Sequence, residues 1–193
     1  MTTITRLYDR YAHAQSVIAE LKRQGIQESQ MSVIANRGSV SVDVETSGAA
    51  TGAAAGSALG GGVGLLTGLG ILAIPGVGPV VAAGWLAATL VGVVAGTVSG
   101  GIIGALTDIG HSSDDAELYA EGLRRGGTLV TVRADTIQDA VVETVMDRAN
   151  PVDTETRRSE YRDGGWKGYD ATAAPHTRPR PEGERARGAD GTL

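Results

Sequence analysis

Residues that could do chemistry are few in this chain and lie far apart. Its histidines are His13, His111 and His176, cysteine is absent, and Asp114 and Asp115 follow the second histidine closely. Acid–base or nucleophilic catalysis needs titratable groups that converge on one site. The acidic pair is better explained by the helix predicted after it, where negative charge is favourable by about 0.3–1 kcal/mol. We therefore predict a protein that is not an enzyme and has no catalytic residues.

Binding of a metal, a cofactor or a nucleic acid is also not expected. His111 with the two aspartates could hold a metal ion, but such groups in a serine-rich turn are more often helix caps. Residues 62–68 miss the dinucleotide-binding glycine spacing by one position, and no lysine lies between Lys22 and Lys167 to meet a phosphate. A formal charge of −5 and a pI of about 5.2 argue against nucleic acid as the main partner. No small-molecule substrate is evident.

The centre of the chain is an uncharged segment, residues 46–107, in which small residues recur at every fourth position. Positions four apart share one helix face, so such a row makes a groove where another helix can approach closely. The first row is Gly48, Gly52, Gly56, Gly60, Gly64 and Gly68. The second row is Gly84, Ala88, Gly92, Gly96, Gly100 and Gly104. Between the rows, Pro75, Gly76, Gly78 and Pro79 permit a tight reversal.

These rows predict a glycine-zipper helical hairpin over residues 47–107, packed through its small residues. Six glycines in one helix cost roughly 3–6 kcal/mol relative to alanine, so the helix needs lipid or partner helices around it. A helix of about 27 residues is long enough to cross a hydrocarbon core of roughly 30 Å. A flexible Gly/Ala linker would tolerate the many leucines, isoleucines and valines poorly in water.

Two hypotheses for function follow. In the first, the hairpin crosses a bacterial inner membrane twice, and both termini are cytoplasmic because all 17 lysines and arginines lie outside the uncharged segment. In the second, the protein is a cytoplasmic scaffold or shell in which hairpins of many copies bury one another. Residues 48–58 contain only Gly, Ala, Ser and Thr, which favours helix packing over lipid contact. Both hypotheses predict a homo-oligomer, and the first adds membrane lipid as a partner.

The polar flanks of the segment read as two halves of one domain, residues 1–46 and 108–150. Strands are predicted at residues 3–8, 31–35, 40–44 and 128–133, and helices at residues 10–24, 113–125 and 136–149. Ile137, Val141, Val142, Val145 and Met146 form the predicted apolar face of the last helix. The order βαββαβ plus one helix predicts an α+β, ferredoxin-like domain, with an antiparallel sheet and helices on one face, interrupted by the hairpin.

The remaining residues, 151–193, form a polar tail whose composition cannot bury enough surface to order itself. The exception is an aromatic group comprising Tyr161, Trp166 and Tyr169 in a chain with only 4% aromatic residues. This group predicts a segment that docks on the domain or on another subunit. An alternative of equal weight is that these aromatic residues occur by chance in a solvated tail.

The combination resembles a known family. The strand and helix ending in residues 20–25 (ELKRQG), the strand at 31–35 (MSVIA), the Gly/Ala-rich middle and residues 119–132 (YAEGLRRGGTLVTV) are similar to the general stress protein family with the heat-induced stress (YflT-type) domain. Residues 165–170 (GWKGYD) are similar to the tails of proteobacterial members. The resemblance implies a small bacterial stress-associated protein, and it supplies no catalytic residues.

Overall fold

The computed structural model describes residues 1–39, 70–94, 101–174 and 176. Its strands are β1 (Thr2–Tyr8), β2 (Met31–Asn36), β3 (Gly70–Ile74), β4 (Gly78–Gly84) and β5 (Thr128–Ala134). Its helices are α1 (Tyr11–Arg23), α2 (Trp85–Val94), α3 (Gly101–Asp108), α4 (Ser113–Arg124), α5 (Asp139–Arg148) and α6 (Thr154–Asp163). Single 3₁₀ turns lie at Glu28–Gln30 and Arg37–Ser39.

The five strands form one antiparallel sheet in the order β1-β5-β2-β4-β3. β1 and β2 each pair antiparallel with β5, for example at Ile4 with Val132 and at Val33 with Val130. β1 and β2 are therefore parallel to one another, joined by α1, with β5 inserted between them. This is a split β-α-β arrangement.

Helices cover both faces of this sheet. Adjacent strand residues point to opposite sides, and Val130 packs in the core beneath α1 and α5 whereas Leu129 packs in the core beneath α2, α3 and α4. The prediction of helices on one face is therefore wrong. β2 and β5 are buried on both faces along almost their whole length, as expected for strands that helices cover on both sides.

The predicted α+β class is confirmed, while the ferredoxin-like topology is not. β5 lies between β1 and β2 in the described sheet, and two of the five strands, β3 and β4, come from the segment predicted as helical. The strand predicted at residues 40–44 lies outside the described residues.

Residues 70–84 form a β-hairpin, which corrects the prediction of helix on either side of the turn. Pro75, Gly76, Gly78 and Pro79 do lie at a reversal, but it joins two strands, with Gly76 at φ 70° and Gly78 at φ 100°. A short apolar run of this kind fits a buried strand as well as a buried helix, so spacing alone did not separate them. Its β-branched residues favour the strand.

The second row of small residues is not one helix. Gly84 ends β4 with φ 90°, Ala88 and Gly92 lie in α2, and Gly104 lies in α3. Gly96 and Gly100 fall outside the described residues. The whole first row, at Gly48, Gly52, Gly56, Gly60, Gly64 and Gly68, also falls outside them.

The last predicted domain helix begins later than expected. α5 starts at Asp139, and residues 136–138 form a turn. Val142, Val145 and Met146 are buried as predicted, but Ile137 is 92% exposed and Val141 is 40% exposed. Ile137 precedes the helix and therefore does not share its buried face.

Candidate functional site

The described surface with the most specific contacts is the one where the C-terminal segment lies on the domain. Residues 154–163, of which 154–160 were predicted to lack order, form α6, and Asp153 caps it by accepting a hydrogen bond of 2.8 Å from the Thr156 N–H. Tyr161 is only 5% exposed. Its ring meets the Trp166 ring edge to face with 6.0 Å between centroids, and the Arg125 guanidinium lies 4.2 Å from its centroid.

Beyond α6 the chain crosses α4 to the turn of the β3–β4 hairpin. The Tyr169 N–H donates to the Glu117 carboxylate at 3.1 Å, and the Tyr169 hydroxyl donates to the Pro75 carbonyl. At Gly76 a side-chain methyl would overlap the Asp170 carbonyl oxygen, so only glycine permits this approach. The structure thus places Tyr161, Trp166 and Tyr169 on the domain of their own chain.

A buried charge network lies on α4 next to this segment. The Glu121 carboxylate accepts hydrogen bonds from Arg124 at 2.6 and 2.7 Å and from Arg125 at 2.6 Å. Burial opposes the negative charge, but these bonds outweigh it and hold the pKa of Glu121 below its ordinary value. Arg124 also donates to the Ala174 carbonyl at 3.3 Å. The network therefore joins α4 to both ends of the docked segment.

α6 is fixed to the domain by two further arginines. Arg157 forms a bidentate pair with Asp9 at 2.7 and 2.8 Å, and Arg158 donates to Asp115 at 2.5 Å. Asp115 also lies in the α4 cap, where the Ser112 hydroxyl accepts from its N–H at 3.1 Å. Asp115 therefore has a structural role in the first turn of α4, as the predicted helix N-terminus indicated. These pairs resemble recognition contacts but are internal to the chain.

The histidines are not brought together. His13 lies on α1 on one side of the sheet, His111 lies at the α3–α4 junction on the other, and His176 lies beyond the docked segment. Among the residues that the structure describes, no group of three or more histidine, aspartate or glutamate side chains could hold a metal ion.

His111 contacts a buried pair of threonines. Its Nε2 lies 2.7 Å from the Thr5 hydroxyl, which in turn lies 3.3 Å from the Thr131 hydroxyl, and its ring meets the Tyr119 ring edge-on. A hydroxyl at this distance from an imidazole has the spacing of a nucleophile and its base. Thr5, however, is only 2% exposed, so a substrate cannot reach the hydroxyl. The contact serves to hold the α3–α4 junction against β1 and β5.

Burial lowers the pKa of His111 below its ordinary value of 6.5. The Asp115 carboxylate opposes this shift and the Arg6 guanidinium reinforces it. The imidazole is therefore neutral near pH 7, and its Nε2 contacts the Thr5 hydroxyl.

Neither of two surface recesses in the described part brings together side chains of one chemical type. One, of about 410 Å³, lies between α1 and α5 and is lined by Glu20, Arg23 and Arg148 among others. Another, of about 300 Å³, is lined by Arg6 together with Asp147 and Asp153. Both are lined by charges of both signs, and each holds an ion pair, Glu20 with Arg23 at 2.6 Å in the first and Arg6 with Asp147 at 2.8 Å in the second.

Sequence reasoning missed the network on α4. Glu121 is followed by arginines at the third and fourth positions, the spacing that brings side chains together on a helix face. That spacing is a readable signal, but it does not reveal that the carboxylate is buried. Gly76 was singled out for the turn alone, and its contact with the tail had no sequence signal.

Comparison with known proteins gave no match: no family model, curated protein or solved structure is similar to this chain. No helix within the described ranges combines the length and the apolar character needed to span a bilayer.

Proposed function

We propose that this protein is a non-enzymatic, self-associating assembly protein whose uncharged segment supplies the subunit interface. The observation that carries the proposal is the placement of β3. This strand is the outer member of the described sheet, it contains no charged residue, and Ile71 within it is 59% exposed. A strand edge of this kind is a ready template for pairing with another chain.

The sequence next to β3 adds to the interface. Residues 46–69, which directly precede β3 in the sequence, are also uncharged. The uncharged run is therefore contiguous in sequence with the outer strand of the described sheet. Their exposure together on a monomer in water would be unfavourable, and association of copies would relieve it.

The lengths of the connections favour assembly over a double membrane crossing. Ser39 is tied to the domain through the Gly126 carbonyl at 2.5 Å, and Gly70 is paired with Ala82 in the sheet. A chain that leaves one folded body and returns to it must cross a bilayer an even number of times. Two helical crossings take roughly 40 residues, and only residues 40–69 lie between these points.

The biological setting of the proposal comes from the sequence resemblance. It suggests a bacterial stress-associated protein, and the role we propose is that of a scaffold or shell subunit made under stress. The tail contacts support this role, because they hold the β3–β4 turn and join it to α4 through Glu117. Membrane insertion remains the competing proposal and has its own outcome in the test below.

The first experiment is to express the full chain, fractionate the cells without detergent and determine the mass of the soluble protein by light scattering. A uniform particle of several copies supports the proposal. A monomer at tens of micromolar would overturn it. Recovery in membranes that resist an alkaline carbonate wash would also overturn it, in favour of membrane insertion.

A second experiment tests the glycine row itself. Replacing Gly56 and Gly60 with leucine should reduce self-association, because the added side chains hold neighbouring helices apart. The matched control replaces Ala54 and Ala58 with leucine. These two alanines lie in the same segment, two positions away from the glycine row. Equal loss in both variants would show that the segment matters and its glycine row does not.

A further inference from the structure

We infer that the C-terminal segment, residues 152–174, exchanges between two copies of the chain, so that each segment docks on the domain of the other subunit. The inference rests on the proposed function, because exchange requires copies that are held close together. Within one chain the structure shows the segment docked on α4 and on the β3–β4 turn. The exchanged dimer makes the same contacts between chains, which turns the docking surface into a subunit interface.

The contacts that hold the segment reach parts of the domain that lie far from it in sequence. The Val152 N–H donates to the Leu7 carbonyl at 2.7 Å, and Arg157 pairs with Asp9 at 2.7 Å. The Tyr169 hydroxyl donates to a carbonyl of the β3–β4 turn. These contacts depend on the two surfaces, whichever chain supplies the segment. The segment of a second copy therefore fits the same surface.

The charges of the docking surface commit it to this segment. Arg157 and Arg158 of α6 meet Asp9 and Asp115 of the domain, at 2.7 and 2.5 Å. Opposite charges at matched positions discriminate against segments that lack them. A second copy carries the matching arginines on an identical helix, so no other partner is required.

The segment has internal structure that it can keep when it leaves the domain. The Trp166 N–H donates to the Tyr161 carbonyl at 2.8 Å, and the two rings meet edge to face with 6.0 Å between centroids. Arg157 also pairs with Glu160 of the same helix at 3.0 Å. Tyr161 is the one buried residue of α6. Detachment thus exposes little apolar surface, and the hydrophobic cost of opening is small.

The connection between α5 and the segment favours opening. It comprises residues 149–151, and Asn150 within it has φ 52°, the one positive φ outside glycine among the described residues. Pro151 follows directly, and a proline favours an extended conformation in the residue before it. An open connection lets Asn150 adopt that conformation. Short hinges that hold the backbone in an unfavourable conformation promote the exchange of elements between subunits.

Concentration ties the exchange to the assembly. A segment on a short connection meets its own domain at an effective concentration of roughly millimolar. Dilute monomers therefore keep the closed form. Copies packed side by side under the proposed function meet one another at a comparable local concentration, and the open connection then decides between the two forms.

Cross-linking between two different chains tests the exchange. The protein has no cysteine, so Asp9→Cys is placed in one full-length chain and Arg157→Cys in another. The two are unfolded, mixed, refolded together and treated with a short bismaleimide. Exchange predicts a covalent dimer that contains both chains. The control mixes Arg157→Cys with Ile137→Cys, which is 92% exposed and should give no dimer. Circular dichroism checks that each variant folds.

The connection is tested by two substitutions of Asn150 made in the cross-linking chains. Asn150→Gly should lower the cross-linked fraction at least about twofold, because glycine adopts a positive φ at little cost. Asn150→Pro should raise it, because proline fixes φ near about −65° and excludes the closed connection. General destabilisation would change both in the same direction. Equal cross-linked fractions in the two variants would overturn the inference.

The outcomes separate the exchange from the proposed function. If the protein forms a particle of several copies and the two cysteine chains do not cross-link, the exchange is overturned and the proposed function stands. If they cross-link in a dimer whose mass the Gly56 and Gly60 leucine variant leaves unchanged, the exchange stands and the role of the uncharged segment is overturned. Cross-linking of the Ile137→Cys control to the same extent overturns the exchange.

Discussion

The Tyr169 hydroxyl donates a hydrogen bond to the Pro75 carbonyl, which links the C-terminal segment to the turn of the β3–β4 hairpin. These residues lie 94 positions apart in the chain. The turn therefore has a partner within the chain, and the same tyrosine also joins it to Glu117 on α4. Contacts at Gly76 make this link testable.

Gly76→Ala should release the tail. The added methyl would overlap the Asp170 carbonyl, and φ 70° is unfavourable for alanine. We expect faster trypsin cleavage after Lys167, measured by mass spectrometry over time under native conditions. The matched control is Gly25→Ala, because Gly25 has φ 83° and open space around the position of the new methyl.

Both glycine variants carry backbone strain, so both should lose stability, and only Gly76→Ala should lose the docked tail. Equal cleavage rates in the two variants would mean that general destabilisation, and not the contact at Asp170, controls access to Lys167.

Glu121→Gln should destabilise the domain by about 1–3 kcal/mol, because it removes charge-assisted hydrogen bonds and leaves Arg124 and Arg125 without a buried counterion. The control is Glu20→Gln, since Glu20 pairs with Arg23 at the same spacing but near the surface. That variant should change stability by less than about 0.5 kcal/mol. Urea unfolding at pH 7 measures both.

The pH dependence of stability gives a second measure of the same network. The folded-state pKa of Glu121 lies below its ordinary value of 4.5, so its stabilising effect is present above pH 4.5 and is lost as the pH falls through the lower value. Glu121→Gln should therefore flatten the loss of stability in this acid range. An unchanged profile would mean that other carboxylates dominate it.

Much of the domain could be predicted from sequence. Ser112 caps α4, β5 follows it, and Val142, Val145 and Met146 are buried, all as the local patterns indicate. These features depend on residues close in sequence. The place of β5 between β1 and β2 depends on pairings between distant residues, such as Thr5 with Thr131. The hydrophobic periodicity of the sequence does not predict such pairings.

The prediction of helix is wrong over residues 70–84 because an apolar pattern of this kind fits a helix and a strand equally well. Gly84 fits a small-residue row at helical spacing, yet its φ of 90° and its close approach to the Met31 carbonyl belong to the end of a strand. A run that is apolar on all sides loses the periodicity by which a strand differs from a helix. The order of α6 could not be predicted from local sequence either, since Arg157 and Arg158 hold this helix in place by pairing with distant aspartates.

His111 should make stability depend on pH near neutrality. Its folded-state pKa lies below the ordinary 6.5, so the unfolded chain binds the proton first as the pH falls. Stability should therefore decrease below about pH 6.5, and His111→Gln should reduce that decrease. Urea unfolding between pH 7.5 and 5 measures it, with His13→Gln on α1 as the control.

The environment of His111 determines the direction in which its pKa shifts, and therefore whether stability falls or rises as the pH falls. Burial disfavours the imidazolium and the nearby Arg6 adds to this, while Asp115 acts in the opposite direction. A histidine proton titration by NMR with a midpoint above 6.5 would contradict the prediction, because the charged form would then be favoured in the folded protein.

The substitution Gly104→Ala tests whether this position of the predicted row lies on a free helix face or in a subunit interface. In α3, a methyl at Gly104 meets no atom within 4 Å in the described structure. If this face is free, alanine should stabilise the protein by roughly 0.5–1 kcal/mol, because it favours the helix more than glycine does. If Gly104 packs against a second copy, the methyl should instead weaken self-association. Unfolding and light scattering on the same sample distinguish these results, and a gain in stability with unchanged particle mass would remove Gly104 from the interface.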